Sequence, residues 1–388
     1  MLILVVGNFD PDSSTANALR VRGVAEALRL AGDEVWLLGN GPSVGPSGEV
    51  SEFPAIKVDE YSSGVLSFMP AGVRGLFLGD ASVQRVCGVA RRPDCVILHG
   101  VHLGYLLRFR RLCRDLRIPL VLDIVEWYQP EDLPGGRFGP YAIANEISMR
   151  HATRQANGFI VLSRRLEEHC RRDGAPVINV PPLFEPEPAV APKASEADGR
   201  LHLCYAGTPG RKEAFDLILA ALQRIDDHGV DFVLHAVGMT AADLAAAQGA
   251  AGRGICDPTR DRIRFYGRVP NDQARRIVAG ADFTLLLRPL RKANQFGFPS
   301  KLAESMAVGT PVIANDFSDL ALHLVDGDNA IFLPDLDFEA VTKAFARAAA
   351  MVPFQRRDMA GRALAAARDR LSPATASAPL SHFLGGLL

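Results

Sequence analysis

Two polar clusters in the second half of the chain have the residue types and spacing to hold a charged, hydroxyl-bearing ligand. One lies in Asn294 to Asp316, NQFGFPSKLAESMAVGTPVIAND. Phe298-Pro299-Ser300 breaks a loop and puts proline at or near the first helical position, where a missing N–H costs nothing. Lys301 and Glu304 are three apart and share one helix face. Gly309 reads as a left-handed cap, Thr310-Pro311 stops the helix, and Val312-Ile313-Ala314 resumes as a buried strand. A helix start with Lys and Glu beside it suits a phosphate and a pair of hydroxyls on one ligand. An ordinary crossover with both side chains solvated gives the same pattern. The other cluster is Tyr205-Ala206-Gly207-Thr208-Pro209-Gly210-Arg211-Lys212-Glu213, a strand running into a glycine loop with two adjacent cations at a helix start. Its amides, the helix dipole and Arg211 or Lys212 suit a diphosphate, or else the cations simply face water.

The first half offers groups suited to sugars. Gly7-Asn8-Phe9 leads to the polar loop Asp12-Ser13-Ser14-Thr15-Ala16-Asn17, which lacks the dinucleotide pattern G-x-G-x-x-G. Ser13, Ser14 and Asn17 suit hydroxyls or phosphate, and helix capping explains Ser14 and Thr15 as well. His99 ends a strand, and Asp123-Ile124-Val125-Glu126-Trp127-Tyr128 follows the next one. There Glu126 could hydrogen-bond a sugar and Trp127 stack on it, or both could anchor a loop. Arg108, Arg110, Arg111, Arg114 and Arg117 crowd one amphipathic segment, which fits either a solvated helix face or peripheral contact with an anionic membrane.

These groups need elements to position them, and the chain alternates strand and helix patterns throughout. Strands are expected at 2–7, 34–39, 95–99, 119–124 and 158–163, then at 201–206, 231–237, 263–266 and 282–287. Helices are expected at 15–31, 103–116, 213–225 and 271–279, and the Ala-rich stretch 339–370 reads as helical. Several strands are apolar throughout, as parallel strands covered on both faces are. Residues 181–200 are rich in Pro, Ala and charge without periodicity. This predicts an α/β protein with a Rossmann-like domain at 1–185, a linker at 186–200, a second such domain at 201–372, and a tail at 373–388 packing back on the first. Two doubly wound parallel sheets would face a central cleft and bind ligand at their strands' carboxyl ends.

Composition narrows the class. The 388 residues are 48% hydrophobic and 22% charged with a net charge of -1, which gives no electrostatic reason to expect nucleic acid. The first seven residues read as a buried strand rather than a signal peptide, and no run has the length of a membrane span. The six cysteines (Cys87, Cys95, Cys113, Cys170, Cys204, Cys256) form no C-x-x-C pair, and the nine histidines show no metal-ligand spacing. A reduced cytoplasm without metal cluster or disulfide frame fits best.

Taken together, these patches resemble the GT-B glycosyltransferases of the retaining family-four type. The resemblance covers nearly the whole chain: the first strand, loop and helix ending in AGDEVWLLG, Val161-Leu162-Ser163, Tyr205-Ala206-Gly207 with Lys212, and Phe298-Pro299-Ser300-Lys301-x-x-Glu304 through Gly309-Thr310-Pro311-Val312-Ile313. The strand end with Asp123 and Glu126-Trp127-Tyr128 is similar to that of bacterial cell-surface polysaccharide members. The resemblance implies a nucleotide-diphosphate sugar as co-substrate in the C-terminal half, bound by residues among Gly207, Thr208, Arg211, Lys212, Phe298, Ser300, Lys301 and Glu304. Lys212 and Arg211 would neutralise the diphosphate with amides near Ser300 and Lys301, and Glu304 would accept from the ribose hydroxyls. His99 and Glu126 would serve the reaction beside an acceptor held by Ser13, Ser14, Asn17, Glu126 and Trp127. The acceptor class stays open among a sugar, a lipid-linked molecule and a small molecule. No metal and no further cofactor are expected, since no Asp-x-Asp element stands where one would bridge the diphosphate. One departure stands out: the family has a glutamate eight positions before Glu304, and here Phe296 occupies it. Asn294 or Gln295 would offer neutral hydrogen-bonding groups in its place. A nucleotide-sugar epimerase and a non-catalytic nucleotide-sugar-binding protein remain open alternatives on the same scaffold.

Overall fold

The computed structural model describes residues 1–40, 54–60, 71–89, 91–171, 174–207, 213–247 and 262–388. They form two units, each built on one all-parallel sheet.

The first unit comprises Met1–Leu183, Phe296–Phe298 and Pro373–Leu388. Its strands are β1 (Leu2–Gly7), β2 (Glu34–Asn40), β3 (Ala55–Val58), β4 (Cys95–His99), β5 (Leu120–Ile124), β6 (Gly158–Val161) and β7 (Val177–Asn179). They lie in the order β3-β2-β1-β4-β5-β6-β7. β1 shows why its run is apolar throughout. Successive strand residues point to opposite faces, so Ile3 and Val5 enter one core with Val21, Val24 and Leu28, while Leu4 and Val6 enter another with Leu98, Tyr105 and Phe109. Thr15 starts the helix Ala16–Leu30 by accepting from the Ala18 N–H. The helix Pro373–Gly385 completes this face, adding Leu380 and Leu384 to the core of Val21 and Val24. Ser381 Oγ donates to Asp33 Oδ2 at 2.7 Å.

The second unit comprises Phe184–Gln295 and Pro299–Ser372. Its strands are β8 (Leu201–Ala206), β9 (Phe232–Val237), β10 (Ile263–Gly267), β11 (Phe283–Leu286), β12 (Val312–Asn315) and β13 (Ala330–Leu333). Their order is β10-β9-β8-β11-β12-β13. The Ala-rich stretch is two helices, Phe338–Ala350 and Pro353–Arg370, because Pro353 has no N–H to continue the first and suits the start of the second. Residues 186–200, expected to be a linker, are bound to this unit. Lys193 is buried, and its Nζ donates to Ala279 O, Gly309 O and Thr310 Oγ1 at 2.8, 2.9 and 3.0 Å. Ser195 Oγ donates to Asp282 Oδ1 at 2.6 Å. Among the described residues no helix is long and apolar enough to cross a membrane.

Candidate active site

In both sheets the strand order reverses direction beside the first strand: between β1 and β4 in the first unit, and between β8 and β11 in the second. The chain leaves the sheet on opposite faces at such a point, which opens a crevice beyond the strands' carboxyl ends.

In the first unit Gly7 pairs in register with His99 across that point. A Cβ on Gly7 would stand 2.8 Å from the His99 carbonyl oxygen, so glycine permits the approach. His99 is 3% exposed, and its Nδ1 lies 2.7 Å from Asp123 Oδ2. Asp123 is also buried and receives Arg20 Nη2 at 2.9 Å, while Arg20 Nη1 donates to Val180 O and Pro181 O. Burial alone would raise the Asp123 carboxyl, but the Arg20 guanidinium and His99 outweigh it and hold it at about 2. With Nδ1 engaged by this carboxylate, Nε2 is the ring nitrogen left without a partner among the described residues. His99 lines an open cleft together with Asn17, Glu126, Tyr128, Tyr141 and Asn145.

Asn17 and Glu126 therefore join His99. Ser13 does not line this cleft; its Oγ donates to Asp10 O at 2.9 Å within its own turn. Ser14 is exposed and is likewise absent from the lining, and the cap of the following helix is Thr15 alone. Trp127 is a correction. Its ring is 6% exposed, packs on His169 and Phe296 at centroid distances of 4.6 and 5.3 Å, and donates Nε1–H to Glu146 at 2.9 Å. A ring enclosed in this way has no face to offer a sugar. The arginine-rich segment is the helix Leu103–Leu116, whose Leu106, Phe109 and Leu112 are buried in the unit's core. Arg108 pairs with Asp80, and Arg110, Arg111, Arg114 and Arg117 are exposed.

In the second unit Gly207 follows β8 with φ 139°, and a Cβ there would meet Lys301 Nζ at 2.5 Å. Glycine thus leaves room for the ammonium beside the strand end. Lys301 Nζ donates to Glu213 Oε1 at 3.2 Å and sits 5.0 Å from the Tyr205 ring centroid. Burial pulls the Lys301 pKa down and Arg288 adds to that, against Glu213, which raises it. Lys301 begins the helix Ser300–Ala307 with Ser300, and Gly309 closes it with φ 71°. Lys301 and Glu304 line one open cavity with Asn271, Arg275, Thr284 and Ser305. Burial raises the Glu304 carboxyl, while its hydrogen bond with Ser300 and the charges of Lys301 and Arg275 lower it.

Thr208, Arg211 and Lys212 lie outside the described residues. Phe298, expected on the donor side, is buried and belongs to the first unit. Phe296 also belongs to the first unit, where Ser163 Oγ donates to its carbonyl at 2.7 Å. Asn294 Nδ2 donates to Pro289 O at 2.9 Å, tying down its own loop. Sequence reasoning missed Arg20, Glu213 and Arg288. Arg20 left a trace, a charge at helical spacing with the apolar Val24 and Ala27. Among the described residues no group of three or more His, Cys, Asp or Glu is disposed to hold a metal.

Residues 18–183 match the family described as glycosyl transferase 4-like domain, and 200–350 match glycosyl transferases group 1. No curated protein sequence matches the chain. Among solved structures, sucrose-phosphate synthase of Thermosynechococcus elongatus is similar with TM-score 0.75 at 15% identity, covering 100% of this chain and 98% of that one. HepE of Anabaena, solved in complex with UDP and glucose, has TM-score 0.70 at 15% identity with 100% of both chains covered. The catalytic domain of starch synthase IV from Arabidopsis thaliana, bound to ADP and acarbose, has TM-score 0.71 at 11% identity, covering 100% and 99%. The two family matches span most of the chain and meet two Rossmann-like parallel sheets, so the chain belongs to the GT-B glycosyltransferases.

Proposed function

We propose that the chain transfers a sugar from a nucleotide-diphosphate donor to an acceptor hydroxyl with retention of anomeric configuration, in polysaccharide or glycoconjugate biosynthesis. The observation that carries this reading is the convergence of Lys301, Glu304 and a helix start at the reversal point of the second sheet. The UDP-glucose in HepE and the ADP in starch synthase IV support a nucleotide-linked donor.

The chemistry follows from charge. Cleavage of the sugar–phosphate bond builds negative charge on the diphosphate and positive charge on the ring. Lys301 and the amides at the start of its helix, joined by Arg211 and Lys212, stabilise the departing phosphate, each fixed donor contributing roughly 3 kcal/mol as oxyanion donors do. These groups stand in place of a metal. Glu304 accepts from the ribose hydroxyls. His99 Nε2, oriented through Asp123 and Arg20, accepts from a hydroxyl of the reacting sugars, and Asn17 and Glu126 complete the acceptor side. Phe296 packs on Trp127 where the family has a sugar-binding glutamate, so the donor sugar is read by other groups. The exposed arginines of the helix Leu103–Leu116 would hold the chain at the anionic inner face of a membrane, where a lipid-linked acceptor would be met.

A thermal-shift screen with UDP-, ADP- and GDP-sugars should raise the melting temperature for one base, since a ligand bound only by the native state stabilises it by mass action. The stabilising sugar nucleotide, incubated with candidate acceptors, should give a product whose anomeric configuration matches the donor by NMR. Lys301→Ala and Glu304→Ala should each weaken donor binding by roughly 10- to 100-fold; unchanged nucleotide affinity in both variants would sink the proposal.

A further inference from the structure

The second sheet's reversal point holds a cation that the proposed function leaves unused. Arg288 lies just beyond the carboxyl end of β11, which pairs with β8 at the reversal point where Gly207 follows β8. Its backbone is fixed on both sides by one buried side chain: Asn315 Oδ1 accepts from the Arg288 N–H at 2.8 Å, and Asn315 Nδ2 donates to its carbonyl at 2.9 Å. The guanidinium carbon lies 5.7 Å from the Phe317 ring centroid, and Nη2 donates to Glu213 Oε1 at 3.0 Å. That same oxygen receives Lys301 Nζ at 3.2 Å.

One carboxylate oxygen therefore serves two cations. The Arg288, Glu213 and Lys301 side chains are 13%, 9% and 22% exposed, so little water screens the two cations that Glu213 shares, and Glu304 is a further carboxylate acting on Lys301. Arg288 Nε is buried without a partner among the described residues. Guanidinium N–H groups that lack acceptors, beside a half-shared ammonium, have the donor geometry that a phosphate oxygen pair satisfies.

We propose that Arg288 is a further diphosphate-binding residue of the donor site, with Glu213 the carboxylate that holds Arg288 and Lys301 side by side before the ligand arrives. This rests on the proposed nucleotide-diphosphate donor. When the diphosphate binds, Arg288 engages its oxygens in a forked contact while Lys301 supplies a point charge, and Glu213 keeps both cations from swinging into solvent.

The test is calorimetric titration of the full chain with UDP, ADP and GDP, with the matching nucleoside, and with inorganic pyrophosphate. Arg288→Met should weaken the preferred diphosphate and pyrophosphate by roughly 10- to 100-fold, leaving the nucleoside within about twofold. Arg288→Lys, which keeps the charge and loses the fork, should recover only part of that loss. Full diphosphate affinity in a folded Arg288→Met, or equal losses for nucleoside and diphosphate, would overturn the role. If the methionine variant does not fold, Arg288→Lys decides, and unaltered diphosphate affinity there overturns it. A wild-type chain that binds none of the three diphosphates refutes the donor reading itself. A wild type that binds while the Arg288 variants match it refutes this inference alone.

Discussion

The two sheets reverse at equivalent points and fill them with opposite chemistry. In the first unit the ions are sealed in: Arg20 and Asp123 are almost wholly buried, and one imidazole edge faces the cleft. In the second, Lys301 and Arg288 share a single carboxylate oxygen and keep positive charge at the rim. The first arrangement suits neutral hydroxyls met by an oriented ring nitrogen; the second suits an anion. The same backbone topology thus sets where a ligand lies, while the charge balance at the strand ends sets what kind of ligand it is.

The largest test of this contrast is Asp123→Asn, which leaves the Arg20 guanidinium buried without its counter-charge. It should cost about 3–5 kcal/mol in urea unfolding, whereas Glu213→Gln, whose partners Arg288 and Lys301 are 13% and 22% exposed and can turn towards solvent, should cost less. Equal costs would erase the distinction. Next, Lys301→Ala should reduce affinity for the donor nucleotide by roughly 10- to 100-fold with stability within about 1 kcal/mol; calorimetry and thermal melts together separate the two effects. Acid titration should then distinguish the units. Asp123 is held at about 2, below the 3.8 of a free carboxyl, so its charged form stabilises the fold above that value. This contribution, about 2 kcal/mol, is lost as pH falls through 2. Glu304 is raised, so its effect has the opposite sign and protonation relieves it. Resolving the Asp123 carbon resonance across pH 2–5 would check the first half; a midpoint near 4 contradicts it.

Gly207→Ala is expected to act on the ligand as well as the fold: the added methyl displaces Lys301 Nζ, and φ 139° strains a residue that carries a Cβ. Nucleotide affinity should drop by about tenfold, and a variant with undisturbed binding would show that the ammonium has room elsewhere. Trp127→Phe should have the smallest effect. It removes the hydrogen bond to Glu146 at a cost of about 1 kcal/mol and should leave the acceptor KM unchanged, whereas a sugar-stacking tryptophan would show a raised KM.

Much of this was legible in the residues. The apolar runs and their spacing place most strands, and the three-residue separation of Lys301 and Glu304 puts both on one cavity, because helical geometry alone dictates it. His99, Asn17 and Glu126 line one cleft because strand ends and helix starts converge in doubly wound sheets. Trp127 misled: an amphipathic ring reads alike whether its face meets a cleft or a core, and only its packing on His169 and Phe296 decides. Arg20 and Asp123 are 103 positions apart, so neither residue announces the pair. Edge strands β3 and β7 are four and three residues long and only partly buried, too short to leave a clear periodicity.

The helix Pro373–Gly385 bears on how the protein comes off the ribosome. It supplies Leu380 and Leu384 to the core of the unit that holds β1, so the first unit stays open on one face until this helix emerges. The second unit ends at Ser372 and has all its strands before then. Synthesis would therefore complete the later unit first, reversing the usual order of domain maturation. Chains stopped after Ser372 should show slow amide exchange in β8 and β11 but fast exchange in the helix Ala16–Leu30; equal protection in both would mean the closing helix is dispensable.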